Sequence, residues 1–132
     1  MKFPFRNVLL TGGAGFIGSH FAEVLVADGC KVTVIDDFND FYDPAIKEAN
    51  LAGIRDRIRL ERGDLRDTAF VNRVFAEGNF EAVVHLAARA GVRPSISDPR
   101  LYVSTNVDGT LNLLEGCREH GVKRFVFASS SS

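Results

Sequence analysis

The sequence predicts an α/β domain built on a parallel β-sheet, on three observations. Short apolar runs rich in Val, Leu, Ile and Phe alternate with stretches of helical periodicity along the whole chain, the pattern of βαβ units. The first run leads directly into a glycine-dense turn followed by a helical stretch. The second run ends on an acidic pair, Asp36 and Asp37.

Taken in order, the strand candidates are residues 7–11 (NVLLT), 31–36 (KVTVID), 58–61 (IRLE), 81–86 (EAVVHL) and 123–128 (KRFVFA). Four of the five lack polar alternation, as strands covered on both faces do. Between the first two, Ile17, Phe21, Val24 and Leu25 fall at helical spacing and predict a helix with a buried face, stopped at Asp28-Gly29. Pro44 opens a second helical stretch that Gly53 ends. Asp67 is placed to cap a third helix, which carries Phe70, Val71, Val74 and Phe75 and ends near Gly78. The last helix starts around Asp98-Pro99, and its stripe of Val103, Val107, Leu111 and Leu114 runs on to a stop at Gly121. The expected architecture is a Rossmann-like doubly wound parallel sheet of five strands, ordered 3-2-1-4-5, with helices on both faces.

Size and composition agree with one globular domain, 1–132. A chain of 132 residues with 45% hydrophobic and 25% charged residues is too apolar to be disordered. Its net charge of −1 provides no field to gather nucleic acid or an acidic membrane surface, so a small-molecule ligand is the better expectation. The N-terminal MKFPFRNVLL does not read as a secretory signal, and no run approaches the roughly 20 apolar residues that cross a bilayer. A soluble, cytoplasmic protein is expected. The two cysteines, Cys30 and Cys117, read as small buried thiols in a reducing compartment, against a disulfide or a metal site. No Cys/His cluster has ligand spacing, so no metal is expected.

The glycine turn carries the strongest chemical signal. Thr11-Gly12-Gly13-Ala14-Gly15-Phe16-Ile17-Gly18 contains both a GxGxxG and a GxxGxxG. Early glycines let the backbone turn sharply and approach a pyrophosphate, and the last lets the helix pack tightly on its strand. The helix terminus then points free N–H groups and its positive dipole end at the phosphates. A lone GxGxxG also occurs in ordinary turns. This one lies between a strand and an amphipathic helix, and Asp36 follows 18 positions after Gly18, close to the roughly 20-residue offset of an acid that binds a ribose hydroxyl. Carboxylates at Asp36 and Asp37 accept from a free 2′-hydroxyl and repel a 2′-phosphate, and no Arg or Lys lies between Asp36 and Pro44; NAD is therefore preferred over NADP. Asp64, just past the third strand, is placed to accept from an adenine amino group, although an exposed turn residue would look the same.

With these motifs in place, the chain resembles the extended short-chain dehydrogenases/reductases that act on nucleotide sugars. TGGAGFIGSH, the acidic pair, GDLRD, HLAARAGVRPSISDP, TNVDGT and FVFASSSS match in order along the whole chain. Within that family, residues 37–44 (DFNDFYDP) and 88–98 (ARAGVRPSISD) are most similar to UDP-glucuronate 4-epimerases. The resemblance implies that Gly12, Gly15, Phe16, Ile17 and Gly18 line the pyrophosphate, that Asp36, Asp37 and Asn39 hold the adenosine ribose, and that Asp64 and Leu65 meet the adenine. It places Leu86, Ala87, Ala88 and Arg89 along the cofactor toward its nicotinamide half, with Thr105 and Asn106 approaching from the last helix. Ser130 matches the active-site serine that hydrogen-bonds the reacting sugar hydroxyl, and Ser129 and Ser132 are its neighbours on the UDP-sugar.

The chemistry so implied is transient oxidation at sugar C4 by NAD, with hydride returned to the other face. A tyrosine whose pKa is lowered by a lysine four residues on serves as the base. Here the sequence departs from the family: its only tyrosines are Tyr42 and Tyr102, followed four residues later by Ile46 and Asn106. The resemblance therefore implies a truncated NAD-binding domain, with the Tyr-x-x-x-Lys helix and sugar-binding domain absent, inactive by itself. Another enzyme of the same family (a UDP-galactose 4-epimerase, a sugar 4,6-dehydratase or a decarboxylase) and a stand-alone NAD-binding module without turnover are the alternatives. A homodimer through the last helix is also implied, although in the family that packing uses a further helix.

Four other features each carry two readings. Arg93, near the nicotinamide end, reads as a receptor for a sugar carboxylate or phosphate or as an exposed loop arginine. His85 closes an apolar strand and reads as a satisfied core histidine rather than a catalyst. The alternating charges of residues 55–62 read as a solvated helix end before an edge strand, not a nucleic-acid patch. Ser129 to Ser132 read as a flexible tail or as ligand contacts at the carboxyl edge of the sheet, following directly on a strand expected to be buried.

Overall fold

The computed structural model describes residues 2–130 of the chain. Five strands, β1 (Asn7–Thr11), β2 (Lys31–Asp36), β3 (Arg59–Arg62), β4 (Ala82–His85) and β5 (Arg124–Phe127), form one sheet. Its order is β3-β2-β1-β4-β5 and every pairing is parallel. Doubly wound topology and strand order therefore match the sequence-based expectation. At the centre, Leu9 of β1 aligns with Thr33 of β2 on one side and Val83 of β4 on the other.

Successive side chains of a strand point to opposite faces, and β1 divides the core accordingly. Val8 and Leu10 join Ala22, Leu25 and Leu51 under helices α1 (Phe16–Ala27) and α2 (Pro44–Leu51). Leu9 joins Val71, Phe75, Leu113 and Cys117 under helices α3 (Thr68–Gly78) and, at the far end of the chain, α6 (Gly109–His120). Asp67 caps α3 as expected, accepting the Phe70 amide at 3.1 Å, and Gly121 ends α6 in the left-handed conformation. Cys30 and Cys117 are free and buried. Burial pushes the Cys117 thiol up to about 11, so it stays protonated and unreactive at neutral pH.

Three expectations are corrected. The buried face of α1 is Gly18, Ser19, Ala22 and Leu25. Ile17, 70% exposed, and Val24 lie outside it, because the small side chains, not the large ones, allow the helix to close on β1. The last helical region starts at Asp98-Pro99 and stops at Gly121 as expected, with a short extra helix before it and a π-helical turn within it. In order, the chain forms α4 (Val92–Ser97), α5 (Pro99–Val103) and the π-helical turn (Ser104–Asp108) before α6 begins. The apolar stripe of this region faces outward: Val103, Val107, Leu111 and Leu114 are exposed, Val107 to 59%. The buried face of α6 is Gly109, Leu113, Gly116 and Cys117, because the Phe75 ring of α3 fills the space beside Gly116 that a side chain would need. Edge strand β5 is also largely exposed, with Val126 and Phe127 uncovered, so Ser129 and Ser130 follow an open strand and not a buried one.

Among the described residues, no helix is long and apolar enough to cross a membrane, and no group of three or more His, Cys, Asp or Glu could hold a metal ion.

Candidate cofactor site

A cavity of about 580 Å³ opens at the carboxyl ends of β1, β2 and β4, where an open α/β sheet places its ligands. Its walls follow from the local sequence. After β1 the chain turns through Gly12 at φ +72, a left-handed conformation that glycine adopts without strain. That turn brings the Gly12 backbone against Ala87 on the β4 side, so close that a β-carbon would lie 2.8 Å from the Ala87 nitrogen. Helix α1 then begins with Gly15 at its N-cap and no side chain capping it. The first amides of the helix, at Phe16 and Ile17, have no intrahelical acceptors, and these residues line the cavity. The dipole end adds a positive potential there.

On the β2 side, Asp36 is buried and holds three donors. Its Oδ1 accepts from the Phe38 amide at 2.9 Å and Lys47 Nζ at 3.0 Å, and its Oδ2 accepts from the Ala14 amide at 3.1 Å. Asp36 thus fastens the glycine turn to β2 and retains acceptor capacity on Oδ2. Lys47 is not singled out by the sequence. Helix α2 brings it back to within ion-pairing distance of Asp36 from beyond Pro44, past the stretch that holds no Arg or Lys. Because Asp36 neutralises it, Lys47 is no ready receptor for a 2′-phosphate. Asn50, three residues on, donates to the Ala14 carbonyl at 2.9 Å. The i, i+3 placement of Lys47 and Asn50 on one helix face is the signal available in the sequence.

At the adenine end expected from the sequence, Asp64 accepts from the Arg66 amide and guanidinium, four contacts at 2.6–3.1 Å. This pairing holds its carboxyl below the usual range. At the opposite end, the turn after β4 is tied at both its termini. Thr11 Oγ1 accepts the amides of Leu86 and Ala87 at 3.1 and 3.2 Å, and Asn106 clamps Arg89, accepting its amide at 2.8 Å and donating to its carbonyl at 3.1 Å.

Of the residues assigned to the cofactor from the sequence, the cavity gathers all but one: Gly12, Gly15, Phe16, Ile17, Gly18, Asp36, Asp37, Asn39, Asp64, Leu65, Leu86, Ala87, Ala88, Arg89 and Thr105. Asn106 is the exception, because both ends of its amide are spent on the Arg89 backbone. Phe41, Tyr42, Ile46, Lys47 and Asn50 join the lining without having been predicted. Arg93 lines a neighbouring cavity of about 520 Å³ that shares Phe41 and Arg89 with the first. Ala128 reaches the main cavity, while Ser129 and Ser130 are exposed beyond it. Ser132 lies outside the described residues.

His85 is 2% exposed and satisfied on both ring nitrogens, by Thr11 Oγ1 at 2.5 Å and Thr110 Oγ1 at 2.9 Å, as a core histidine should be. Burial lowers its pKa to about 4. An unfolded histidine titrates near 6.5, so the stabilisation is complete above about pH 6.5 and is lost as the pH falls toward 4, by roughly 3 kcal/mol from this group. Urea unfolding of the wild type and of His85→Gln across that interval checks it: the variant should lose markedly less stability on acidification.

The chain and its fold have known relatives. A family model described as GDP-mannose 4,6 dehydratase matches residues 9–132. The chain belongs to this family. Among the relatives of this family member, UDP-glucose 4-epimerase 2 of Oryza sativa subsp. japonica is 43% identical over 129 residues, covering 96% of the chain and 32% of the relative. UDP-glucuronate 4-epimerase 3 of Arabidopsis thaliana is 42% identical over 128 residues, covering 96% and 30%. The chain thus spans about a third of the length of these curated relatives. Among solved structures, the Thermus thermophilus UDP-glucose 4-epimerase in complex with NAD superposes with a TM-score of 0.81 at 44% identity, covering 93% of this chain and 37% of that one. The Thermotoga maritima UDP-glucose 4-epimerase with UDP-glucose gives 0.84 at 36% identity, covering 94% and 38%.

Proposed function

We propose that this chain is the NAD-binding portion of a nucleotide-sugar 4-epimerase, with UDP-glucuronate as its substrate. The observation that carries the reading is the cavity that joins an uncapped helix terminus, the Asp36 carboxylate and the 86–89 turn in one continuous surface. These are complementary to a pyrophosphate, a ribose and a nicotinamide ring in turn. In this reading the α1 amides hold the diphosphate, Asp36 Oδ2 and Asp37 accept from ribose hydroxyls, and Asp64 with Leu65 borders the adenine. When bound, NAD supplies reversible oxidation at sugar C4. The chain's own residues orient it and exclude water from one face.

Support for a uronate comes from residues 37–44 and 88–98, the relatives among UDP-glucuronate 4-epimerases, and the second cavity. Arg89 and Arg93 both line that cavity, neither has an ion pair among the described residues, and Arg89 Nε is buried without a hydrogen-bond partner. A carboxylate is the chemistry that a planar guanidinium fork accepts best. Ser129, Ser130 and Ser132 complete the sugar side in this reading, with Ser130 contacting the reacting hydroxyl.

A second reading is an NAD-binding module without turnover. Calorimetric titration with NAD and NADP, followed by incubation with NAD and UDP-glucuronate and assay for UDP-galacturonate, tests both. NAD should bind more tightly than NADP, and UDP-glucuronate more tightly than UDP-glucose. Appearance of product supports an enzyme, cofactor binding without product supports the module, and no affinity for NAD sinks both readings.

A further inference from the structure

The buried imidazole between β1, β4 and α6 has a single consistent proton arrangement. Thr11 Oγ1 has two lone pairs and one proton. It accepts the Leu86 and Ala87 amides at 3.1 and 3.2 Å, so its own proton is left to point at His85 Nδ1, 2.5 Å away. Nδ1 is therefore an acceptor, and the ring proton resides on Nε2. Nε2 donates to Thr110 Oγ1 at 2.9 Å, and the Thr110 hydroxyl donates in turn to the Asn106 carbonyl at 2.6 Å.

That carbonyl lies in the π-helical turn, where Gly109 N–H bonds five residues back to the Ser104 carbonyl. A π turn disturbs the regular helical ladder and is frequent at functional sites. Here it presents Thr105 to the cavity and Asn106 to the Arg89 backbone. One imidazole is thus hydrogen-bonded, through one threonine, to the group that fixes the start of the 86–89 turn and, through another, to the helix turn that fixes its end. The rings of Phe125 and Phe127, with centroids 6.1 and 5.6 Å from that of His85, complete its surroundings.

We infer that His85 is a positioning residue: in its Nε2–H form it holds both ends of the 86–89 turn and so sets the cavity wall against which the cofactor lies. It touches no ligand and acts only through Thr11, Thr110 and Asn106. The role in cofactor binding rests on the NAD reading above, whereas the clamp itself does not.

Nitrogen-15 NMR of the labelled chain near neutral pH should show Nδ1 unprotonated and Nε2 protonated. In His85→Leu, amide exchange at Ala87 and Arg89 should rise about tenfold more than at the central amide of Leu9, the effect of about 1.4 kcal/mol of hydrogen bonding lost locally, with Leu86 held in addition by the Thr11 carbonyl at 3.2 Å, and NAD affinity should fall about tenfold. His85→Gln, which can still donate toward Thr110, should restore protection at Arg89. Should His85→Leu fail to fold, Thr110→Val takes its place: it severs one arm and should accelerate Arg89 while sparing Leu86 and Ala87. A proton on Nδ1, or exchange of the turn in step with Leu9 in the variant, overturns the proposal. A wild type that shows the tautomer and the exchange pattern but no affinity for NAD overturns only the cofactor reading.

Discussion

Gly18→Ala is expected to abolish measurable NAD binding, a loss of at least about 100-fold, and to destabilise the fold by about 1–3 kcal/mol. A β-carbon at this position would lie 2.1 Å from the Gly12 carbonyl oxygen and 2.8 Å from the Gly13 α-carbon. Both obstacles are backbone, so no rotamer relieves the clash. Either α1 lifts from β1 or the Gly12 turn moves, and that turn cannot retreat because it already abuts the Ala87 backbone. The wall of the cavity moves with it. Gly53→Ala is the control, since a β-carbon there meets nothing within 4 Å. Thermal melts and calorimetric NAD titrations of both variants check the result, and a Gly18→Ala protein that binds NAD as the wild type does would contradict the role of the turn.

Asp36→Ala should be the most damaging change to stability, costing about 3–5 kcal/mol, because removing one partner of a buried ion pair leaves the other charge uncompensated. Lys47 Nζ would lose its carboxylate while remaining almost sealed from solvent, with its side chain only 10% exposed. The Ala14 and Phe38 amides would lose acceptors as well. Lys47→Met alone should cost less, because Asp36 would keep both amides. Combining Asp36→Ala with Lys47→Met should recover part of the loss, since the orphaned ammonium is then gone. Urea denaturation of the three variants measures the coupling. Additive losses would show that the pair contributes nothing beyond its separate side chains.

How far such features can be read in advance depends on their range along the chain. β1 and β2 run over the predicted residues, and Asp67 caps α3 as predicted, because strand runs, caps and stops are written in neighbouring residues. Fifteen positions that the resemblance assigned to a cofactor converge on one cavity because the turns that carry them sit at strand ends, which a parallel sheet brings to a common edge. The rotation of α6 differs from the expectation. Its apolar stripe suggests a buried face, but Phe75, from α3, packs beside Gly116 and turns Leu113 and Cys117 inward. Asn106 matches a cofactor-lining pattern, and only its bonds to Arg89 show that its amide is occupied.

By itself the sequence determined the alternation of strands and helices, the glycine turn and the acid at the end of β2, all signals that act within a few residues or one helical period. Tertiary structure alone decided that Lys47 returns to Asp36, that the stripe of the last helix faces outward, and that Thr11, His85 and Thr110 align into one proton-ordered row. The last of these joins groups distant in the chain, His85 and Thr11 being 74 residues apart. Such a row comes into being only when β4 pairs with β1 and desolvation makes an unpartnered donor or acceptor costly.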